Sequence, residues 1–269
     1  MKLGITLRNM GPQSTPQILR EGVLRAEVLG FESVWITDHI AIPPDDAEGS
    51  GGRYTDPLTT LAWLGGATER IRLGVGVLIA PYRPALPTAK AIATVQELTG
   101  HRLLVGLGVG WMDAEFRALG VDRHQRGRIT DDTLEFLNDC FRSDVVTRNG
   151  QPFLFEPRPP APPIYIGGRP PHALRRALRF GHGWLPIARD PTSLHHDLEQ
   201  FRELAEQATA AMGPVTAMAG LPLAEPGRAR ELLDQYRELG LERLVCAVRY
   251  QTLDEYLQQL EALAGLRAS

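Results

Sequence analysis

IRLGVGVLIAPYRPALPTAKAIATVQELTGHRLLVGLGVGW, residues Ile71 to Trp111, is the stretch whose reading decides the fold. Two runs dense in Val, Leu, Ile and Gly bracket a segment whose apolar residues recur at helical spacing. The pattern predicts strand, helix, strand, with both strands buried on each face. A parallel pair needs a crossover of a dozen or more residues, and the segment between Pro87 and Gly100 supplies one. LGVGV and GLGVG place Gly at alternate positions. That empties one face of each strand tip, where something flat or another backbone can lie.

Working outward, the same alternation continues on both sides. Strands are predicted at Lys2 to Leu7 and Phe31 to Ile36, with helices at Pro16 to Leu29 and from Asp56-Pro57 to Thr68. Asp56 reads as an N-cap, with Pro57 in the first helical position. Downstream, a helix at Arg126 to Phe141 precedes an excursion between Ser143 and Pro163, with a hairpin tip at Asn149-Gly150 and a stiff proline-rich connector. Strands at Ile164 to Ile166, Gly183 to Pro186, Val215 to Leu221 and Arg243 to Val248 alternate with helices at Pro171 to Phe180, Ser193 to Met212, Pro226 to Leu239 and Leu253 to Leu263. Eight strands alternating with eight helices favour one α/β domain over residues 1–269, a (β/α)8 TIM barrel with a small excursion before the fifth strand, over an open doubly wound sheet.

Composition narrows the function. With 23% charged residues and a net charge of -3, no basic stripe emerges, so nucleic-acid partners are not expected. Neither a signal peptide nor a long unbroken apolar run is present, and a soluble cytoplasmic protein with no membrane partner is expected. Cys140 and Cys246 read as small buried hydrophobes. HExxH, CxxC, a Walker-type loop and a GxSxG elbow are all missing, which argues against metal-assisted hydrolysis, nucleotide hydrolysis and serine esterase chemistry. GLGVG lacks the third glycine of a dinucleotide fingerprint.

A barrel builds its site at the carboxyl ends of its strands. Those ends bring together Asp38 and His39, the Gly76-Val77 region with Tyr82 and Arg83, Gly108-Val109-Gly110-Trp111, Gly167-Gly168-Arg169, and Trp184. Gly167 and Gly168 before a helix expose amides suited to an anion. A mouth rich in bare backbone and indoles but poor in nucleophiles suits an enzyme whose cofactor carries the chemistry. The loop from Pro43 to Thr55, rich in Pro, Gly and polar residues, reads as mobile and able to close over that mouth.

Four blocks then carry a resemblance: GFESVWITDHI; DPLTTLAWLGGATERIRLGVGVLIAPYRPALPTAKAIATVQELTGHRLLVGLGVGW; EFRALG with RGRITDDTLEFL; and IYIGGRPPHALRRALRFGHGWLP. Together they resemble the bacterial luciferase-like flavin oxidoreductases as far as about residue 190. The resemblance implies a (β/α)8 barrel binding either FMN or the deazaflavin coenzyme F420 at its carboxyl mouth. It implies that Asp38 and His39 line the pocket near the reactive ring, His39 as proton donor or orienter and Asp38 tuning it. It further implies a cis peptide at Gly76-Val77 behind the ring, with Val109, Gly110 and Trp111 against the ring system. The phosphate would rest on the amides of Gly167, Gly168 and Arg169. The Asp-His pair and the lack of long insertions favour coenzyme F420 and hydride transfer to or from a small organic substrate. The alternatives are an FMN-dependent monooxygenase fed by a separate reductase and a non-catalytic coenzyme-binding protein. Trp111 stands where the sugar-phosphate dehydrogenases of the deazaflavin branch carry an acid, so a sugar phosphate is not expected. A homodimer is implied by the same resemblance.

Overall fold

A computed structural model describes residues 1–266. In chain order the elements are β1 (Lys2–Thr6), α1 (Pro16–Val28), β2 (Ser33–Ile36), α2 (Pro57–Ala67), β3 (Arg72–Ile79), α3 (Ala85–Leu98), β4 (Leu103–Gly108), α4 (Asp113–Ala118) and α5 (Arg126–Arg142). They continue as β5 (Val145–Arg148), β6 (Gln151–Leu154), β7 (Ile164–Gly167), α6 (His172–Phe180), β8 (Gly183–Leu185), α7 (Pro191–Gln207), β9 (Thr216–Gly220), α8 (Pro226–Glu238), β10 (Arg243–Ala247) and α9 (Leu253–Gly265). The eight predicted barrel strands all form, in the parallel order β8-β7-β4-β3-β2-β1-β10-β9.

Single bridges at Trp184–Val215 and Ile187–Met218 bring the two ends of that sheet together. The Met218 amide donates to the Pro186 carbonyl at 2.9 Å, and the Ala188 amide to the Met218 carbonyl at 2.8 Å. The result is a nearly closed barrel. β5 and β6 form the antiparallel excursion, turning at Asn149 and Gly150, whose φ values of 52° and 75° are those a two-residue hairpin turn requires. Asp56 caps α2 as predicted, accepting from the Thr59 amide at 2.9 Å. α7 ends at Gln207, five residues short of the predicted Met212. α4 was not anticipated.

The strand pleat sorts side chains into two apolar layers. Leu3, Ile5 and Val34 point outward into the helix layer. Trp35, Leu104, Tyr165, Leu185, Met218 and Val245 fill the barrel axis, with Val77 packed above them and half-buried. Val77 reaches that position through a bulge. Val75 pairs with Val105 and Leu78 with Leu107, so Gly76 and Val77 together oppose Gly106. The Gly76–Val77 peptide is cis, as the resemblance implied.

The bare glycine faces are filled, which corrects the expectation that they form an open slot for a flat ligand. A Cβ on Gly74 would lie 2.3 Å from the Trp35 indole, and one on Gly106 would lie 2.6 Å from the Val75 carbonyl oxygen. Cβ atoms on Gly108 and Gly167 would come within 2.5 and 2.4 Å of the Val77 methyls. These glycines make room for Trp35, for a neighbouring backbone and for Val77. Gly108→Ala is therefore expected to destabilise the protein by about 1–3 kcal/mol through overpacking. Adding Val77→Ala, which removes the methyl in the way, should recover part of the loss, as urea unfolding of the single and double variants would register.

The Pro43–Thr55 loop, expected to move freely, is tied to the segment after β1. Gly11 N donates to Arg53 O at 3.0 Å and Thr55 N to Asn9 O at 3.0 Å, while Arg53 Nε donates to Ser14 Oγ at 2.9 Å. Asn9, fully buried, clips the loop to the end of β2, since its amide donates to Thr37 O at 2.8 Å and to Thr55 O at 3.0 Å. Both cysteines are buried, and burial pushes the Cys140 thiol up to about 11. Among the described residues no helix is long and apolar enough to cross a membrane.

Candidate active site

Two adjacent residues leave β2 in opposite directions. Asp38, 2% exposed, turns to the neighbouring strand: its Oδ2 accepts from the Ile79 amide at 2.9 Å and from Arg83 Nη1 at 2.6 Å, and its Oδ1 from Arg83 Nη2 at 2.9 Å. Arg83 also reaches the Asp56 carboxylate at 2.9 Å. Burial pulls the guanidinium pKa down, but the two carboxylates outweigh it and hold Arg83 firmly charged. Asp38 thus fastens the ends of β2 and β3 to the start of α2.

His39 faces the mouth, and the carboxylate hydrogen-bonded to it is Glu115, a residue the sequence reading did not single out. Glu115 lies in α4 with its side chain fully buried. Its Oε1 accepts from the amides of Ile40 at 2.6 Å and Ala41 at 2.9 Å. Its Oε2 accepts from the Tyr82 hydroxyl at 2.7 Å and lies 2.7 Å from His39 Nδ1. Burial pushes the Glu115 carboxyl up, yet the two amides, Tyr82 and His39 outweigh that and hold it below the ordinary range. An ionised carboxylate is acceptor-only, so Nδ1 carries the proton. In the neutral ring the Nε2 lone pair is then left for a ligand, and Nε2 makes no hydrogen bond among the described residues. Burial and the Glu115 charge raise the Tyr82 phenol, which stays a donor.

Around this pair stand two aromatic walls. The Tyr54 ring centroid lies 4.9 Å from that of His39, and the Trp111 indole stands edge-on at 6.2 Å and is 64% exposed. Gly76 and Val77 come from the bulge in β3, while Val109 and half-buried Gly110 follow β4. Gly110 has φ 76°, and a Cβ there would lie 2.8 Å from Ile79 Cγ2. Next to β4, exposed Gly168 and Arg169 follow Gly167 at the end of β7, Gly168 with φ 125°, a conformation reserved for glycine. Trp184, expected at the mouth, is instead fully buried and donates its indole N–H to the Gly168 carbonyl at 3.0 Å, which steadies that turn.

The structure therefore brings His39, Gly76, Val77, Val109, Gly110 and Trp111 together at the mouth, with Gly167, Gly168 and Arg169 continuing beyond Val77 and β4, while Asp38 is turned away to Ile79 and Arg83 and Gly108 is packed under Val77. It adds Glu115 and Tyr54, and ties Tyr82, expected beyond the third strand, to Glu115. The signal for Glu115 was its place four residues after Trp111, between Ala114 and Phe116.

The fold and parts of the sequence recur in known proteins. A protein of Mycobacterium tuberculosis is 29% identical over 201 residues, 68% of this chain and 69% of its own length. The 5,10-methylenetetrahydromethanopterin reductase of Archaeoglobus fulgidus is 31% identical over 195 residues, covering 70% of this chain. The chain spans about half the length of that reductase (53%). Among solved structures, the monooxygenase RslO1 of Streptomyces bottropensis superposes with a TM-score of 0.81 at 19% identity, over 98% of each chain. An F420-dependent secondary alcohol dehydrogenase bound to an F420-acetone adduct does so with a TM-score of 0.81 at 17% identity, over 99% of each chain. The sequence profile of the luciferase-like monooxygenases matches residues 1–266, and on that match, joined to the shared barrel, the chain belongs to the luciferase-like monooxygenase family.

Proposed function

We propose that this protein is an oxidoreductase that moves a hydride between coenzyme F420 and a small organic substrate, with His39 handling the accompanying proton. The observation that carries the reading is the His39–Glu115 pair, an imidazole tied at Nδ1 to a buried carboxylate and bare at Nε2. The lining of the mouth supports a flat coenzyme. Val77 gives a half-buried apolar floor and Trp111 an exposed indole wall, and the Gly168 turn presents bare backbone next to the Arg169 cation. Bound there, the deazaflavin supplies a ring carbon that takes up or gives back a hydride.

The chain's own part is binding, orientation and proton transfer. When a carbinol is oxidised, its carbon loses a hydride and its hydroxyl loses a proton, which His39 Nε2 accepts. In the reverse direction the same nitrogen returns the proton to the carbonyl oxygen. Glu115 holds the ring in the tautomer this requires, and Asp38 acts by fixing the β2 end that carries His39.

Spectral titration of the full chain with coenzyme F420 and with FMN, followed by turnover on alcohols and ketones, tests the reading. Uptake of F420 is expected, and His39→Ala should lower kcat by about 10²–10⁴-fold while coenzyme affinity holds within a few-fold. Uptake of FMN alone, with labelled O2 entering the product, would make the protein a monooxygenase that depends on a separate reductase and would overturn the F420 assignment.

A further inference from the structure

We infer that Arg8 anchors an anionic group, a carboxylate, on the molecule that reacts at His39. The inference rests on the reading of the mouth as an oxidoreductase site and names the class of its substrate.

Arg8 reaches the mouth by the pleat. Thr6 pairs with Trp35, which fills the barrel axis, and the Leu7 amide extends that ladder to the Trp35 carbonyl at 2.8 Å. Two residues beyond Thr6, Arg8 falls on the same inward side. It is half-buried at the carboxyl end of β1, the neighbour of β2, and two residues further on Met10 bridges to Tyr54, whose ring packs on His39.

Its charge is unanswered. Arg83 grips Asp38 and Asp56, and fully buried Arg243 grips Glu32. Arg8 makes no ion pair among the described residues. It donates only to two neutral carbonyls, Tyr250 O at 3.3 Å and Gly49 O at 3.2 Å, and its buried Nε has no partner. A guanidinium offers five N–H donors in a planar fork that suits a carboxylate, so two long bonds leave most of that capacity unused. Merely bracing two carbonyls does not call for a cation in a partly desolvated place, where an unpaired charge is costly.

The coenzyme's own phosphate does not explain this residue. In the ring order β1-β2-β3-β4-β7, the Gly168 turn lies four strands from β1, on the opposite side of an eight-strand barrel. A single guanidinium at a mouth whose His39 is flanked by the Tyr54 and Trp111 rings suits a monocarboxylate with an apolar body.

Calorimetric titration of the full chain, with and without coenzyme, using benzoate and its neutral analogue benzamide as probes, tests the assignment. Benzoate is expected to bind at least about tenfold tighter than benzamide. Arg8→Met should erase that preference and leave benzamide and coenzyme binding unchanged, whereas Arg8→Lys should keep part of it. If the methionine variant fails to fold, Arg8→Gln, which keeps amide hydrogens for the two carbonyls, carries the same readout. Equal affinities for the two probes in the wild type, or a benzoate preference that survives loss of the guanidinium, would overturn the assignment. These titrations need no turnover. Failure to take up F420 sinks the hydride-transfer reading, while equal probe affinities sink only the role of Arg8.

Discussion

Glu115→Ala is expected to cost about 3–5 kcal/mol of stability and about 10²–10⁴-fold in kcat. Both losses come from the same four hydrogen bonds. The stability loss follows because the Ile40 and Ala41 amides, the Tyr82 hydroxyl and the His39 ring all lose their acceptor inside the protein. The rate loss follows because His39 is then free to rotate and to change tautomer. Glu115→Gln is not a neutral replacement, since its amide group must point a donor at one of these donors. The pH dependence has a definite sign. The folded carboxyl titrates below its unfolded value, so its stabilisation is complete above about pH 4.3 and vanishes as pH falls through the folded value. Urea midpoints of wild type and Glu115→Gln should therefore converge in acid and separate toward neutrality. Midpoints that stay parallel would show that Glu115 is not held as a carboxylate.

A comparable loss is expected at the other end of the barrel. Arg243 is fully buried and donates to both Glu32 oxygens, Nε at 2.6 Å and Nη2 at 2.8 Å, while its Nη1 meets Thr216 Oγ1 at 2.9 Å and the Tyr165 hydroxyl at 3.1 Å. Its guanidinium also lies over the faces of Trp35 and Tyr165 at 6.0 and 5.8 Å. Arg243→Met should cost about 3–5 kcal/mol, because the Glu32 carboxylate is left half-sheltered without its cation. Burial raises the Glu32 carboxyl and Arg243 more than reverses this, so here too the contribution is present above about pH 4.3 and lost in acid. Arg243→Met with Glu32→Met should be markedly more stable than Arg243→Met alone, since removing both charges removes the uncompensated one. Thermal melts of the single and double variants decide this. A double variant no better than the single would locate the loss in packing against Trp35.

Much of the scaffold was legible because it is local. The crossover helix between two buried strands, the Asn149-Gly150 hairpin and the Asp56-Pro57 helix start each depend on residues within a few positions of one another. The position of His39 followed from barrel geometry. Its division from Asp38 was not read, since both were expected to line the pocket, whereas Asp38 turns its carboxylate to the Ile79 amide and Arg83, 41 and 45 positions away. Glu115 was hidden for a physical reason. Its acceptor role depends on Ile40, Ala41, Tyr82 and His39, which lie between 33 and 76 positions away in the chain. The six-residue helix that carries it is too short to show a period. The alternate glycines were seen, but spacing could not say that Trp35 and Val77 would occupy the space they leave. Trp184 was misplaced because the pleat of β8 sends Leu185 into the barrel axis and Trp184 outward against Phe201.

The cylinder is joined unevenly around its circumference. Most neighbouring strands share a continuous run of paired residues, whereas three-residue β8 and its neighbour β9 meet through isolated bridges. In the ring, β8 stands diametrically across from β2, the strand that carries His39. The sparsest pairing of the barrel therefore falls at the seam beside Ile187, 85% exposed, as far as the architecture allows from the imidazole. The imidazole, by contrast, follows a strand that both of its neighbours pair with in unbroken ladders.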